Sequence, residues 1–159
     1  FVKKWPHFGN LLTVSQSDSE CISMRRNVLI SQVNNVISTF SKLDSHIQSD
    51  LLYTYCSSLY GSVLWDLQDN TINKLFSVWN IALRRVWHLP YNTNTHRNII
   101  YALAGKWSMF DELCRRLLKF VSTCLYNDNA TVSSVTRFAL NTRFSQSSIA
   151  RNCLYVCNR

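Results

Sequence analysis

Breakers of regular structure are scarce in this chain, with three glycines and two prolines among 159 residues. So few leave little room for the many tight turns of an all-β fold or for flexible linkers. Long apolar runs are missing as well. No stretch reaches the roughly 18 apolar residues of a membrane span, and the opening Phe1-Val2-Lys3-Lys4-Trp5-Pro6 lacks the apolar core and small-residue cleavage site of a secretory signal. The chain is therefore expected to be soluble and intracellular, in cytoplasm or nucleus, with no membrane partner. It also begins without Met, as a piece of a longer protein would. Acidic residues are few, nine against 17 basic ones, and the formal charge of +8 suits a polyanionic partner. Low-complexity tracts and internal repeats are not found.

What the chain does have is core material. Hydrophobic residues make up 47% and aromatics 13%, enough for one ordinary domain at this length. The expected fold is mainly α, a single domain of about six or seven helices preceded by a short β-hairpin or strand. Residues 1–14 form the β element and residues 15–159 the helical region. The six cysteines are even in number, but they fall inside predicted helices, with Cys114 and Cys124 on apolar faces, and read as free thiols behaving as small hydrophobes. Cys153-x-x-x-Cys157, with His7, His46, His88 or His96, is a weak zinc signal. No second Cys or His pair follows at finger spacing, so core packing is the better reading.

The organising stretch runs from Trp79 to Arg97. At 100° per residue, Ile72, Leu75, Phe76, Trp79, Ala82, Leu83, Val86 and Trp87 share one apolar arc of about 140°, with Arg84 and Arg85 on the far side. Leu89 precedes Pro90, which pushes it out of the helical region, so the helix should stop near Trp87 or His88. Tyr91 to Asn94 read as a polar turn, and Thr95 as an N-cap. Upstream, Trp5 to Thr13 has the marks of a strand or hairpin. Leu29, Val33, Val36 and Phe40 predict a helix from about Asp18 to Phe40, and Ile47, Leu51, Tyr55 and Leu59 a second from about Asp44 toward Gly61. Asp69-Asn70 caps the central helix. Downstream, Ile99, Ile100 and Leu103 should face inward on a short helix closed by Gly105.

A helix from Ser108 to about Tyr126 carries Asp111 and Glu112 in its first turn, where the helix dipole favours them. It buries Phe110, Leu113, Cys114, Leu117, Phe120, Val121 and Cys124. Asn127-Asp128-Asn129 ends it and caps another, for which Val132, Val135 and Ala139 suggest a helix to about Leu140. Ser145 starts a last one, with Ile149, Cys153 and Val156 on one face.

Tyr55-Cys56-Ser57-Ser58-Leu59-Tyr60-Gly61-Ser62-Val63-Leu64-Trp65, then Trp79, Ala82-Leu83-Arg84-Arg85, Trp87, Leu89-Pro90-Tyr91 and Thr95-His96, resembles the region after the palm in LINE-type (non-LTR) retrotransposon reverse transcriptases. The resemblance runs over nearly the whole chain. It departs from the family where Asn92-Thr93-Asn94 separate Leu-Pro-Tyr from Thr95-His96, and where Phe8 stands in place of leucine. It implies a non-catalytic fragment of an RNA-directed DNA polymerase. The fragment comprises the primer-grip end, the thumb and the following helices, and it holds an RNA/DNA template–primer duplex beside the upstream palm of the same polyprotein.

The family's Tyr/Phe-x-Asp-Asp turn is not in this chain. Asp111 and Glu112, adjacent and so about 100° apart on a helix, do not make a two-metal pair. No catalytic residue and no cofactor or metal is expected in the fragment, which should be inactive alone. Phe8 and Gly9 match the primer-end strand pair by resemblance.

The adjacent pairs Arg25 and Arg26, Arg84 and Arg85, and Arg115 and Arg116, together with Lys119, are the candidates for phosphate contact. The plainer alternative is solvated surface charge. The tryptophans read as core rather than base-stacking platforms. A helical protein–protein interaction module, for instance a domesticated element fragment, is the competing function.

Overall fold

A computed structural model describes residues 4–7, 10–13, 17–90, 97–141 and 147–158. Short segments β1 (Lys4–His7) and β2 (Asn10–Thr13) pair antiparallel, Lys4 opposite Thr13 and His7 opposite Asn10. From Ser19 onward the described chain is helical: α1 (Ser19–Thr39), α2 (Ser45–Cys56), a 3-10 turn (Ser62–Leu64), α3 (Asn70–Val86), α4 (Arg97–Ala104), α5 (Met109–Leu125), α6 (Ala130–Asn141) and α7 (Ser148–Cys157). The fold is mainly α. None of the described helices is long and apolar enough to cross a membrane.

The body is built around α3, which packs on α1, α2, α4 and α5. Its arc is buried as the spacing predicts: Ile72, Leu75, Trp79, Ala82, Leu83 and Val86 are buried, with Phe76 and Trp87 packed against them. Asp69 caps the start, its carboxylate accepting from Thr71 N at 2.7 Å. At the end, His88 N donates to the Arg85 carbonyl and Leu89 N to the Arg84 carbonyl. These are the two bonds of a Schellman closure. His88 takes the left-handed conformation this closure requires, φ 51°, where glycine is usual. Edge-to-face rings tie three helices together, with Phe76 of α3 on Phe110 of α5 at 5.9 Å and Phe110 on Tyr155 of α7 at 6.1 Å.

Several expected faces are corrected. On α2 the buried residues are Gln48, Ser49, Leu52 and Cys56, while Ile47 is 50% exposed and Tyr55 60% exposed. The reason is a polar seam. Ser45 Oγ donates to the Val86 carbonyl at the open end of α3, and Trp87 Nε1 donates to Ser49 Oγ at 3.1 Å. Satisfying a helix-end carbonyl and an indole N–H turns the serines inward and the aliphatic residues outward. The helix ends at Cys56 rather than running toward Gly61, which is in the left-handed region at φ 79°.

On α4, Ile100 and Ala104 are buried, whereas Ile99 and Leu103 are exposed. None of the residues of α6 is buried; Val132 and Val135 face solvent. Phe40, the expected end of the first helix, is the exposed C-cap of α1. Ser145, Thr95 and Tyr91 to Asn94 lie outside the described residues.

Asn152 locks α7 to the centre. Its side chain is fully buried, accepts from Leu67 N at 2.9 Å and donates to the Trp65 carbonyl at 2.6 Å. It supplies partners to two backbone groups in a segment with no helical ladder of its own. Asn152→Ala should therefore lower stability by roughly 2–3 kcal/mol, the cost of stranding buried polar groups, measured as a reduced urea midpoint. A change within about 0.5 kcal/mol would show that the segment finds other partners.

All six cysteines are free, three of them buried, and burial pushes the Cys56 thiol up to about 11. A reductant is accordingly expected to leave the melting temperature unchanged. A drop of many degrees would reveal a stabilising disulfide.

Candidate functional site

Of the sequence-predicted residues, Arg26 and Arg85 are brought together. They line opposite helices of a groove between α1 and α3, a cavity of about 220 Å³ floored by Ile30, Val33, Val78, Ile81 and Ala82. Side chains four apart on each helix meet here because α1 and α3 make the most extensive helix contact in the fold. Across the groove Arg85 Nη1 donates to Asn34 Oδ1 at 2.6 Å. The Nε of Arg26 is buried and meets no acceptor among the described residues. Guanidinium groups so placed offer forked donors to an anionic oxygen above an apolar floor.

Arg25 sits half-buried beside Arg26 on α1. Arg84, also half-buried, is drawn toward the helix end, where its Nη1 donates to the Pro90 carbonyl at 3.3 Å. Both arginines of α3 thus project away from the buried arc in the last turn, where the negative end of the helix dipole favours cations.

Arg115 and Arg116 converge on Glu112 instead. Arg115 Nε lies 3.0 Å from Glu112 Oε2, and Arg116 Nε 2.8 Å from Oε1. Partial burial works against ionisation of Glu112. The hydrogen bonds and charges of the two arginines outweigh it and hold the carboxyl below its ordinary range. The third basic pair thus shares one carboxylate within its own helix, which offsets one of its two charges. Lys119 is exposed on α5. Phe8 and Gly9 lie outside the described residues.

A second polar cluster joins the start of α1 to the segment before α3 and to α7. Asp18 accepts from Asp66 N at 2.8 Å, and Arg151 Nη2 pairs with Asp66 at 3.1 Å. The α1 N-cap carboxylate is thereby diverted from its own helix, to which it makes no capping bond. Burial, with the charges of Asp66 and Asp69 adding to it, raises the Asp18 carboxyl above its usual range against the pull of the Asp66 N–H and Arg151. Its partners are internal, so the cluster reads as a staple. Among the described residues no group of three His, Cys, Asp or Glu side chains is placed to hold a metal ion.

The tryptophans divide. Trp65 and Trp79 are buried and Trp87 half-buried, in keeping with core roles, but Trp107 is 71% exposed, a correction to the reading of all of them as core. No periodicity marks it, because it stands in the short connection between α4 and α5.

The Glu112 cluster has a definite pH signature. A carboxyl held below its ordinary range contributes stability that is present above the unfolded pKa and is lost as pH falls through the folded value. Glu112→Gln should cost on the order of 1 kcal/mol at neutral pH. The gap from wild type should close as acid titrates the wild-type carboxyl below about pH 4.3. Melts across pH 3 to 7 check this, and a gap that widened in acid would refute the pairing.

In comparisons with known proteins, no family model, no curated protein and no solved structure matches the chain.

Proposed function

We propose that this chain is the post-palm part of a LINE-type reverse transcriptase, a non-catalytic helical region that holds the template–primer duplex next to the upstream palm, with its β element at the palm end. The observation that carries the reading is the convergence of Arg26 and Arg85 on one groove between the two best-packed helices. Support comes also from the charge of +8 and from the ordered likeness of residues 55–96 to that family. Phosphate contact of this kind is sequence-independent and weakens steeply with salt. A partner bound through paired guanidinium groups on rigid helices is held in register without base contacts.

A protein–protein interaction module is the second reading, and α6 favours it. Val135 and Phe138 are strongly exposed on a helix with no buried residue, the kind of face that a partner covers.

Replacing Arg84 and Arg85 together by alanine separates the two. Alanine retains helix propensity, and the bonds lost are surface bonds, so stability should change by less than about 1 kcal/mol. Affinity for an RNA/DNA primer–template duplex should fall, and the slope of log affinity against log salt should flatten by about one unit per lost contact. Trp79→Ala is the control, losing binding only through unfolding at a cost of roughly 3–5 kcal/mol. Unchanged affinity and slope in the double variant would remove α3 from the duplex surface and transfer weight to the interaction module.

A further inference from the structure

Trp107 is the largest side chain of the described set that the fold leaves in solvent while fixing its backbone. α4 ends in the same closure as α3, with Gly105 at φ 60° and Lys106 N donating to the Tyr101 carbonyl at 3.1 Å. The next residue, Trp107, offers its carbonyl to Tyr53 Oη at 2.7 Å. Tyr53 in turn stands edge-to-face on the buried Trp79, centroids 4.9 Å apart, and burial raises its hydroxyl above the ordinary phenol range, keeping it a donor. Ser108 then caps α5, accepting from Asp111 N at 3.0 Å. Trp107 is thus clamped from both sides and tied through one tyrosine to the centre of the core.

Its indole borders an open cleft of about 360 Å³ with Tyr101, Ala102, Gly105 and Lys106. A Cβ added at Gly105 would meet nothing within 4 Å, so the cleft is clear of protein there. The Lys106 ammonium is held beside it by Asp50 at 2.7 Å and by the Tyr53 ring at 5.7 Å. Of the exposed apolar residues of α4, Ile99 lies about 60° and Leu103 about 100° around the helix from Ala102, and both lie about 160° from Tyr101, so they adjoin the cleft on its Ala102 side and leave its Tyr101 and Trp107 side distinct.

We infer that Trp107 is a stacking platform for one unpaired nucleobase of the bound nucleic acid. An exposed aromatic ring carried on a fixed backbone in a basic protein is what sequence-tolerant single-strand binding uses. An open cleft suits a planar ring better than a side-chain anchor, which binds in an enclosed pocket. This deepens the duplex-holding reading and rests on it, because it places the single-stranded template next to the paired segment.

The test uses the 159-residue chain with three probes: a blunt RNA/DNA duplex, the same duplex with a single-stranded overhang, and that overhang made abasic. Wild type should prefer the overhang over the blunt end by about tenfold, within the range a stacked base supplies, and the abasic overhang should erase the preference. Trp107→Ala and Trp107→Leu should erase it too, with blunt-duplex affinity unchanged, while Trp107→Phe should retain most of it. Leucine keeps the apolar bulk without the ring face, so it separates stacking from plain hydrophobic contact, and unchanged melting temperatures exclude a folding effect.

If wild type binds the blunt duplex in a salt-sensitive way but shows no overhang preference, or if the variants keep the preference, the platform is refuted and duplex holding stands. If wild type binds none of the probes, the duplex-holding reading fails and the platform with it.

Discussion

Burial of the α3 apolar arc is the constraint from which the rest of the arrangement follows. Six side chains of one helix are removed from water, at roughly 1.5–3 kcal/mol for each large one, and no single neighbour is wide enough to cover an arc of about 140°. Four helices must therefore close around it, α1, α2, α4 and α5. Once they do, the far side of α3 is the only place its arginines can go. The juxtaposition of Arg85 with Arg26 is a by-product of how closely α1 lies on α3. A groove of this kind persists because moving it would uncover the core.

Polar groups set the details that hydrophobic packing leaves open. The serines of α2 face inward since the end of α3 has a carbonyl to satisfy, and Asn152 supplies the bonds that the chain around Trp65 and Leu67 cannot make for itself. Asp18 belongs to the same class, giving up a capping bond to hold a loop. Each such bond is worth only about 1 kcal/mol net, but leaving one unmade inside the protein costs more, so these contacts choose among packings of similar apolar area.

The positive charge is unevenly committed. Glu112, Asp50 and Asp66 each hold basic side chains in internal pairs, whereas among the described residues Arg85 donates to a neutral amide and the buried Nε of Arg26 meets no acceptor. An incoming anion gains most where no carboxylate already competes, and that favours the α1–α3 groove over the basic turn of α5. The Trp107 cleft adds an aromatic surface of a different kind, on the connection that leads from α4 into α5.

By itself the sequence determined the helical class, the central arc, the caps at Asp69 and Ser108 and the end of α3 before Leu-Pro, because each is written in local spacing and in backbone preferences acting within a turn. The α5 arc was legible for the same reason. The faces of α2 and α4 were not: Ile47, Ile99 and Leu103 look like core by hydropathy, yet whether an apolar residue is covered depends on a neighbour distant in sequence. Which basic residues are spent internally was equally out of reach, since Arg84 and Arg85 look the same as Arg115 and Arg116 until Glu112 is seen to hold the latter. Trp107 was missed because a residue in a connection has no periodicity to read. Only the tertiary structure, by fixing α1 against α3 and tying Trp107 to Tyr53, decided which side chains are left to meet a partner.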